Sequence, residues 1–205
     1  MTQPSKWWEI ETQICSQTGH RLICGVDEAG RGPLAGPVCA AAVILPFGLE
    51  IEGLNDSKKL TESARERLFD VILQQAAATG IAFATHQEID QINILNATFL
   101  AMRRAIEMLA PAPGFAIIDG NMVRDIPVAA QAIVKGDQKS ASIAAASVLA
   151  KVTRDRYMAK LAEEYPEYMF EKHKGYPTKL HYQMIEQFGV SPVHRRSFLK
   201  KLNLG

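Results

Sequence analysis

Cysteine is scarce in this sequence, net charge is almost nil and no apolar run is long; each scarcity excludes a class of protein. Cys15, Cys24 and Cys39 are odd in number and form no C-x-x-C pair. That pattern argues against a disulfide framework or a zinc knuckle and points to reduced thiols in the cytosol. No stretch approaches the length of a membrane span, and the N-terminus carries no apolar signal segment, so a cytoplasmic protein with no membrane partner is expected. The 23 Lys+Arg nearly balance the 22 Asp+Glu, so composition alone announces no binder of polyanions. There is no internal repeat, no G-x-G-x-x-G and no P-loop ending in Lys-Ser/Thr, which removes the commonest nucleotide-binding loops.

What is present suits one domain with a small C-terminal addition: 205 residues, 47% of them hydrophobic, enough for a sizeable core. Charge is unevenly placed. Over residues 171–205, Lys172, Lys174, Lys179, Arg195, Arg196, Lys200 and Lys201 stand against Glu171 and Glu186, a net +5 that leaves −4 for residues 1–170. A basic tail beside an acidic body can grip a polyanion in one place and cut it in another.

Residues 1–20, polar apart from Trp7-Trp8, read as a short helix or arm. Residues 22–26 and 37–45 read as strands, antiparallel because the glycine-rich turn between them is too short for a crossover helix. Thr61 is the expected N-cap of a helix ending at Gly80, and Asp90 that of a second with the stripe Leu95, Thr98, Met102, Ile106, Leu109. Further strands are expected over 81–85, 115–120 and 128–134, and helices over 140–164 and 179–188. This β-β-α-β-α-β-β-α-α order describes an α/β fold with a mixed sheet.

Three strand ends carry acids: Asp27-Glu28, Asp119 and Asp137. Carboxylates without cysteine or histidine at ligand spacing suit hard divalent cations, Mg²⁺ or Mn²⁺, and a two-cation site performs phosphoryl transfer. Each acid also has a plainer reading. Asp27 and Glu28 suit a turn, Asp119-Gly120 is a common turn dipeptide, and Asp137 can cap the next helix unless Ser140 does so. Asp155, between Arg154 and Arg156, reads as a surface ion-pair residue. Gly30-Arg31-Gly32 is a short basic loop whose backbone can approach a sugar. Lys58 and Lys59 suit phosphate contact or plain solvation. Ser147 and Lys151, i and i+4 on one helix, suggest a Ser-Lys nucleophile, but no oxyanion-hole signature accompanies them. His173 and His194 suit a phosphate contact or the surface. Tyr176, set in His-Lys-Gly-Tyr-Pro-Thr, suits either a stacking platform for a sugar or base or packing of its loop on the core.

Taken together, these residues resemble the ribonuclease HII family, the type 2 ribonucleases H. The resemblance rests on residues 25–38 (Gly-Val-Asp-Glu-Ala-Gly-Arg-Gly-Pro-Leu-Ala-Gly-Pro-Val) and 54–60 (Leu-Asn-Asp-Ser-Lys-Lys-Leu). Asp119-Gly120-Asn121, Lys135-Gly136-Asp137, residues 142–155, residues 173–178 and His194-Arg195-Arg196-Ser197-Phe198 complete it. It covers about residues 21–199 and nothing before them. The family implies an RNase H-like mixed five-stranded sheet flanked by helices, spanning residues 21–165, with a helical, basic, substrate-binding part over 166–205. It implies an endoribonuclease that acts on RNA in RNA–DNA hybrids and 5′ of ribonucleotides embedded in duplex DNA, leaving 3′-hydroxyl and 5′-phosphate ends. It maps catalytic metal ligands onto Asp27, Glu28, Asp119 and Asp137, for two Mn²⁺ or Mg²⁺ ions. Gly30, Arg31 and Gly32 would read the 2′-hydroxyl, and Tyr176 would stack on the neighbouring deoxyribose. Gln138 replaces a familiar serine, a change expected to matter little. A monomer is expected.

Overall fold

The computed structural model describes residues 6–200, so Lys201 and the first five residues lie outside it. Five strands form one sheet: β1 Ile23–Ala29, β2 Val38–Ile44, β3 Ala78–Ala84, β4 Phe115–Asp119 and β5 Ala129–Ile133. Their order is β3-β2-β1-β4-β5. The first three strands are mutually antiparallel, while β4 and β5 run parallel to β1. The mixed sheet therefore matches the expectation: a tight connection gives the hairpin, and helical crossovers give the parallel half.

The parallel half decides where chemistry can sit. The carboxyl ends of β1, β4 and β5 share one edge, and Asp27-Glu28, Asp119 and Asp137 lie at or just beyond those ends. β1 runs three residues further than its apolar stretch suggested. Asp27, Glu28 and Ala29 pair with Ala41, Ala40 and Cys39 of β2, whereas pairing with β4 stops at Val26↔Ile118. The two acids are thus held by a strand on one side only. Hydrogen bonding from β2 extends the strand past the residues whose hydrophobicity signalled it.

Three long helices cover the sheet: α2 Glu62–Gln75, α3 His86–Glu107 and α4 Ala141–Glu164. On one face α3 buries Ala97, Ala101, Met102 and Ala105 against Val26, Val38, Ala40 and Ala42. On the other, Leu68 and Ile72 of α2 and Ala145, Val148 and Leu149 of α4 cover Cys39, Ala41 and Val43. Alanines let α4 approach closely, and Gly25 completes the fit: a Cβ there would overlap the Ser142–Ile143 backbone. Ser140 caps α4, its hydroxyl accepting from Ile143 N at 3.2 Å, so the cap is Ser140 and not Asp137.

Two sequence readings shift. Gly80 ends no helix; it sits inside β3, where a Cβ would overlap the Ala105 carbonyl of α3. Asp90 caps nothing, because Thr85 and Glu88 form a capping box one turn earlier. Asp90 instead accepts from the amides of Arg196 and Ser197, both at 2.9 Å, and ties down the C-terminal segment.

The N-terminal stretch forms helix α1, Glu9–Thr18, after a turn of 3-10 helix. Trp8 is buried, with Nε1 donating to the Leu49 carbonyl at 3.2 Å. Ser140 Oγ donates to the buried carboxylate of Glu11 at 2.6 Å, pinning α1 to the start of α4. At the other end, α5 Phe170–His173 and α6 Lys179–Phe188 pack on the far half of α4 through Met158, Leu161, Tyr168 and Phe170. No helix among the described residues is long and apolar enough to cross a membrane.

Candidate active site

A cleft of about 220 Å³ opens at the carboxyl edge of the parallel strands, lined by Asp27, Glu28, Gly30, Arg31, Gly32, Lys58, Asp119 and Tyr176 among others. Eight of the nine residues singled out from sequence meet there. The ninth, Asp137, is buried immediately behind, its Oδ2 3.8 Å from Lys58 Nζ. A roomier cleft of about 470 Å³ beside Trp7 and Trp8 gathers no such set, so size does not mark the site.

The backbone fixes the acids. Asp27 Oδ1 accepts from Glu28 N at 2.7 Å, and Asp119 Oδ1 accepts from Gly136 N at 2.7 Å. Glu28 Oε1 accepts from Arg31 Nη1 at 3.4 Å. Burial pushes the Asp27 carboxyl well above the usual carboxylate range, and the charges of Glu28 and Asp119 push it further. Burial also raises Glu28, against the lowering effect of Arg31, and raises Asp137, where Asp119 and Asp56 add to it. Burial works against the charge on Lys58, but Asp27, Asp137, Asp56 and Asp119 outweigh it and hold the ammonium on.

These acids suit a hard divalent cation: they are oxygen donors that burden one another until positive charge is supplied. Among the described residues no three of them already stand in ligating geometry. Instead their oxygens turn to two backbone amides and to the side chains of Arg31 and Lys58.

Two arginines that sequence reasoning did not place at the site organise the glycine loop. Arg195, counted above as part of the basic tail, is 0% exposed. Its guanidinium donates to the carbonyls of Gly36 (2.9 Å), Arg31 (2.9 Å) and Gly30 (2.6 Å). Burial lowers its pKa to about 9. Arg154, 1% exposed, donates to the carbonyls of Pro37 (3.0 Å), Lys174 (3.1 Å) and Ala35 (3.3 Å). In a trans peptide the N–H points opposite to the C=O. With the Gly30 and Arg31 carbonyls turned inward, the amides of Arg31 and Gly32 point outward, where both residues are exposed. Gly30 has φ +93°, and a Cβ there would overlap the Arg154 side chain, so only glycine fits. Arg154 had a signal: it shares the inward face of α4 with Ala150 and Met158. Arg195 had none, being one of three basic residues in a row of six from Arg195 to Lys200.

Other readings resolve as follows. Ser147 is no nucleophile for Lys151: its hydroxyl bonds the Ser57 hydroxyl at 2.7 Å, while Lys151 Nζ donates to Asp155 at 2.7 Å. Asp155 is therefore an ion-pair residue, though with Lys151. Gln138 is tied to the site, Nε2 donating to Asp56 Oδ2 at 3.4 Å. His173 and His194 are buried, so neither is a surface residue, and their ring nitrogens bond within the fold. Tyr176 is 38% exposed and faces Gly32, whose Cβ position lies 3.7 Å from its ring.

Acids at the carboxyl edge of a mixed sheet, beside outward-turned amides, define a metal-dependent hydrolase of phosphodiester bonds. Comparison with known proteins narrows this. A sequence model of the family described as Ribonuclease HII matches residues 24–201. The chain is 50% identical over 202 residues to the Ribonuclease HII of Caldicellulosiruptor bescii, covering 98% of each chain. It is 57% identical over 178 residues to that of Marinomonas sp., covering 86% of this chain and 89% of the relative. Among solved structures, the ribonuclease H2 of Pyrococcus horikoshii OT3 superposes with a TM-score of 0.70 at 30% identity, covering 85% of this chain and 92% of that one. The chain belongs to the ribonuclease HII family, endoribonucleases that act on RNA–DNA hybrids.

Proposed function

We propose that this chain incises duplex DNA 5′ of an embedded ribonucleotide as well as the RNA strand of hybrids, leaving 3′-hydroxyl and 5′-phosphate ends. The observation that carries the reading is the pair of outward amides, Arg31 and Gly32, fixed by Arg195 beside the acids. A 2′-hydroxyl is the one ribose group that deoxyribose lacks, and a preset N–H donor pairs with it. Tyr176 presents an aromatic face across the loop and suits stacking on the neighbouring deoxyribose. Lys58 places positive charge at the mouth for phosphate.

Asp27, Glu28, Asp119 and Asp137 would hold two divalent ions, Mg²⁺ or Mn²⁺. When bound, such ions lower the pKa of water and stabilise the departing 3′ oxygen. The residues of the chain do the rest. The acids set where positive charge sits, the glycine loop admits only ribose at the junction, and Tyr176 fixes the register of the strand. The helical part over 166–205 supplies Tyr176 and basic side chains to the duplex, and the chain acts as a cytosolic monomer.

The test is cleavage of three duplexes that differ at one nucleotide: ribose, 2′-O-methylribose and deoxyribose. Incision of the first alone is expected. Equal incision of the 2′-O-methyl duplex would overturn the reading, because a methylated oxygen crowds the amides that should bond it.

A further inference from the structure

Beneath Tyr176, three histidines form a buried stack that the site as described does not use. His173 and His181 lie ring on ring, centroids 4.2 Å apart and 19° from parallel. His181 is 0% exposed and His194 1%. Hydrogen bonds fix where each proton resides. Ser191 N donates to His194 Nδ1 at 3.0 Å, so that nitrogen carries a lone pair and the proton is on Nε2. His194 Nε2 lies 3.0 Å from His181 Nε2, which must accept. The His181 proton is then on Nδ1, 3.0 Å from the Tyr176 carbonyl. One chain of donors thus runs from Ser191 through two imidazoles to Tyr176. Only one tautomer of each ring completes it, and both rings must be neutral. An added proton would set donor against donor at one end or the other.

His173 completes the clamp. Its Nδ1 accepts from Gly175 N at 3.2 Å, so its Nε2 donates to the Tyr168 carbonyl at 2.9 Å. The groups facing the rings are Phe170, Tyr168 and one another, with the Ser191 hydroxyl 2.7 Å from His194 Nδ1, the charge of Glu171 acting on His173 and His86 further off; no carboxylate forms an ion pair with them among the described residues. Burial, then the neighbouring imidazole, lowers His181 to about 4 and His194 to about 3, so the rings stay neutral at any working pH. The far end of the chain is joined to the glycine loop: Ala35 and His194 form a β-bridge, and Gly36 N donates to the Val193 carbonyl at 2.9 Å.

We propose that His181 and His194 are positioning residues, a relay of fixed tautomers in which His194 holds His181 in the one tautomer that donates to the Tyr176 carbonyl, and that donor fixes the Tyr176 backbone beside the ribose-reading loop and so sets junction specificity. The proposal rests on the reading of Tyr176 given above. Neither imidazole touches the reacting atoms.

Two substitutions at one position separate this role from simple packing. An asparagine amide overlays imidazole Nδ1, and a glutamine amide overlays Nε2. His181→Asn keeps the donor to Tyr176 and loses the acceptor for His194; His181→Gln does the reverse. Each loses one internal hydrogen bond, so a merely structural role affects both alike. The relay predicts that His181→Gln loses about fivefold or more in kcat/KM for a single embedded ribonucleotide, the order of one buried hydrogen bond. His181→Asn should stay near wild type in kcat/KM, although its melting temperature falls as far as that of His181→Gln. Equal losses, or an unaffected His181→Gln, would overturn the proposal. Tyr176→Ala is measured beside them. If it leaves junction preference intact, the reading of Tyr176 fails and the relay loses its purpose. If it lowers preference while His181→Gln does not, the relay alone fails. Imidazole ¹⁵N shifts of the wild-type protein give a check independent of any variant. His181 should carry its proton on Nδ1 and His194 on Nε2; the opposite tautomer at His181, or a charged ring near neutral pH, would overturn the proposal.

Discussion

Replacing Asp27 by asparagine should stabilise the metal-free protein and at the same time abolish cleavage. Asp27 is 3% exposed, and its Oδ1 accepts from Glu28 N at 2.7 Å. Asparagine keeps that acceptor oxygen and the side-chain volume, and replaces the charged second oxygen with a neutral NH2. Burial, Glu28 and Asp119 all raise the Asp27 pKa in the folded state. The native protein therefore binds this proton more tightly than the unfolded chain, so stability is lost as pH rises from the ordinary carboxylate range through the raised value. Removing that burden contributes about 1 kcal/mol near neutral pH, typical of relieving an active-site conflict. For a chain of this length that is a rise of roughly 2–4 °C in melting temperature. Cations that bind only the folded state act oppositely, adding about 2.7 kcal/mol at a hundredfold excess over the dissociation constant. Thermal unfolding in chelator and in Mn²⁺ reads both effects. The variant should melt higher than wild type in chelator and gain much less from Mn²⁺. A variant that melts lower in chelator, or gains as much from Mn²⁺ as wild type, would refute the place of Asp27 in a cation site.

Gly30→Ala should destabilise the protein by about 3 kcal/mol, from positive-φ strain together with displacement of Arg154 from three carbonyls. A fall of roughly 10 °C in melting temperature, with loss of ribonucleotide cleavage, is expected, and an unchanged melting temperature would remove the Arg154 clamp from the explanation. The buried histidines predict acid lability of the opposite sign to Asp27. With folded pKa values of about 4 for His181 and about 3 for His194, the unfolded chain takes up protons first. Stability should fall as pH drops from about 6.5 toward those values. Urea unfolding at successive pH values checks this, and His194→Gln should flatten that limb.

Much of the fold was legible because its signals are local. Thr61 and Ser140 stand as caps where expected, and the alanine-rich stretch after Ser140 forms the helix that lies closest to β1. The acids were legible as a set because each follows an apolar strand. What was not legible depends on partners distant in sequence. β1 reaches Ala29 because β2 pairs with it, and Gly80 serves β3 because α3 presses its carbonyl there. Asp90 looks like any cap until Arg196 and Ser197, over a hundred residues away, claim its oxygens. Basic residues misled most. Arg195, assigned to phosphate by its neighbourhood of charge, is buried on backbone carbonyls, and its exposed neighbour Arg196 differs from it by nothing local. The histidines misled in the same way, since a stack built from residues 173, 181 and 194 has no fixed spacing to betray it.

The central claim is that four acids and a ribose-reading loop act on one bond through bound divalent ions. Its most direct test is a duplex DNA with a single ribonucleotide, incubated with Mg²⁺, with Mn²⁺ or with chelator, and with product ends mapped at nucleotide resolution. The account predicts one incision, immediately 5′ of the ribonucleotide, leaving 3′-hydroxyl and 5′-phosphate, with either ion and none in chelator. Incision in chelator, or cuts spread over the deoxyribonucleotides, would contradict it.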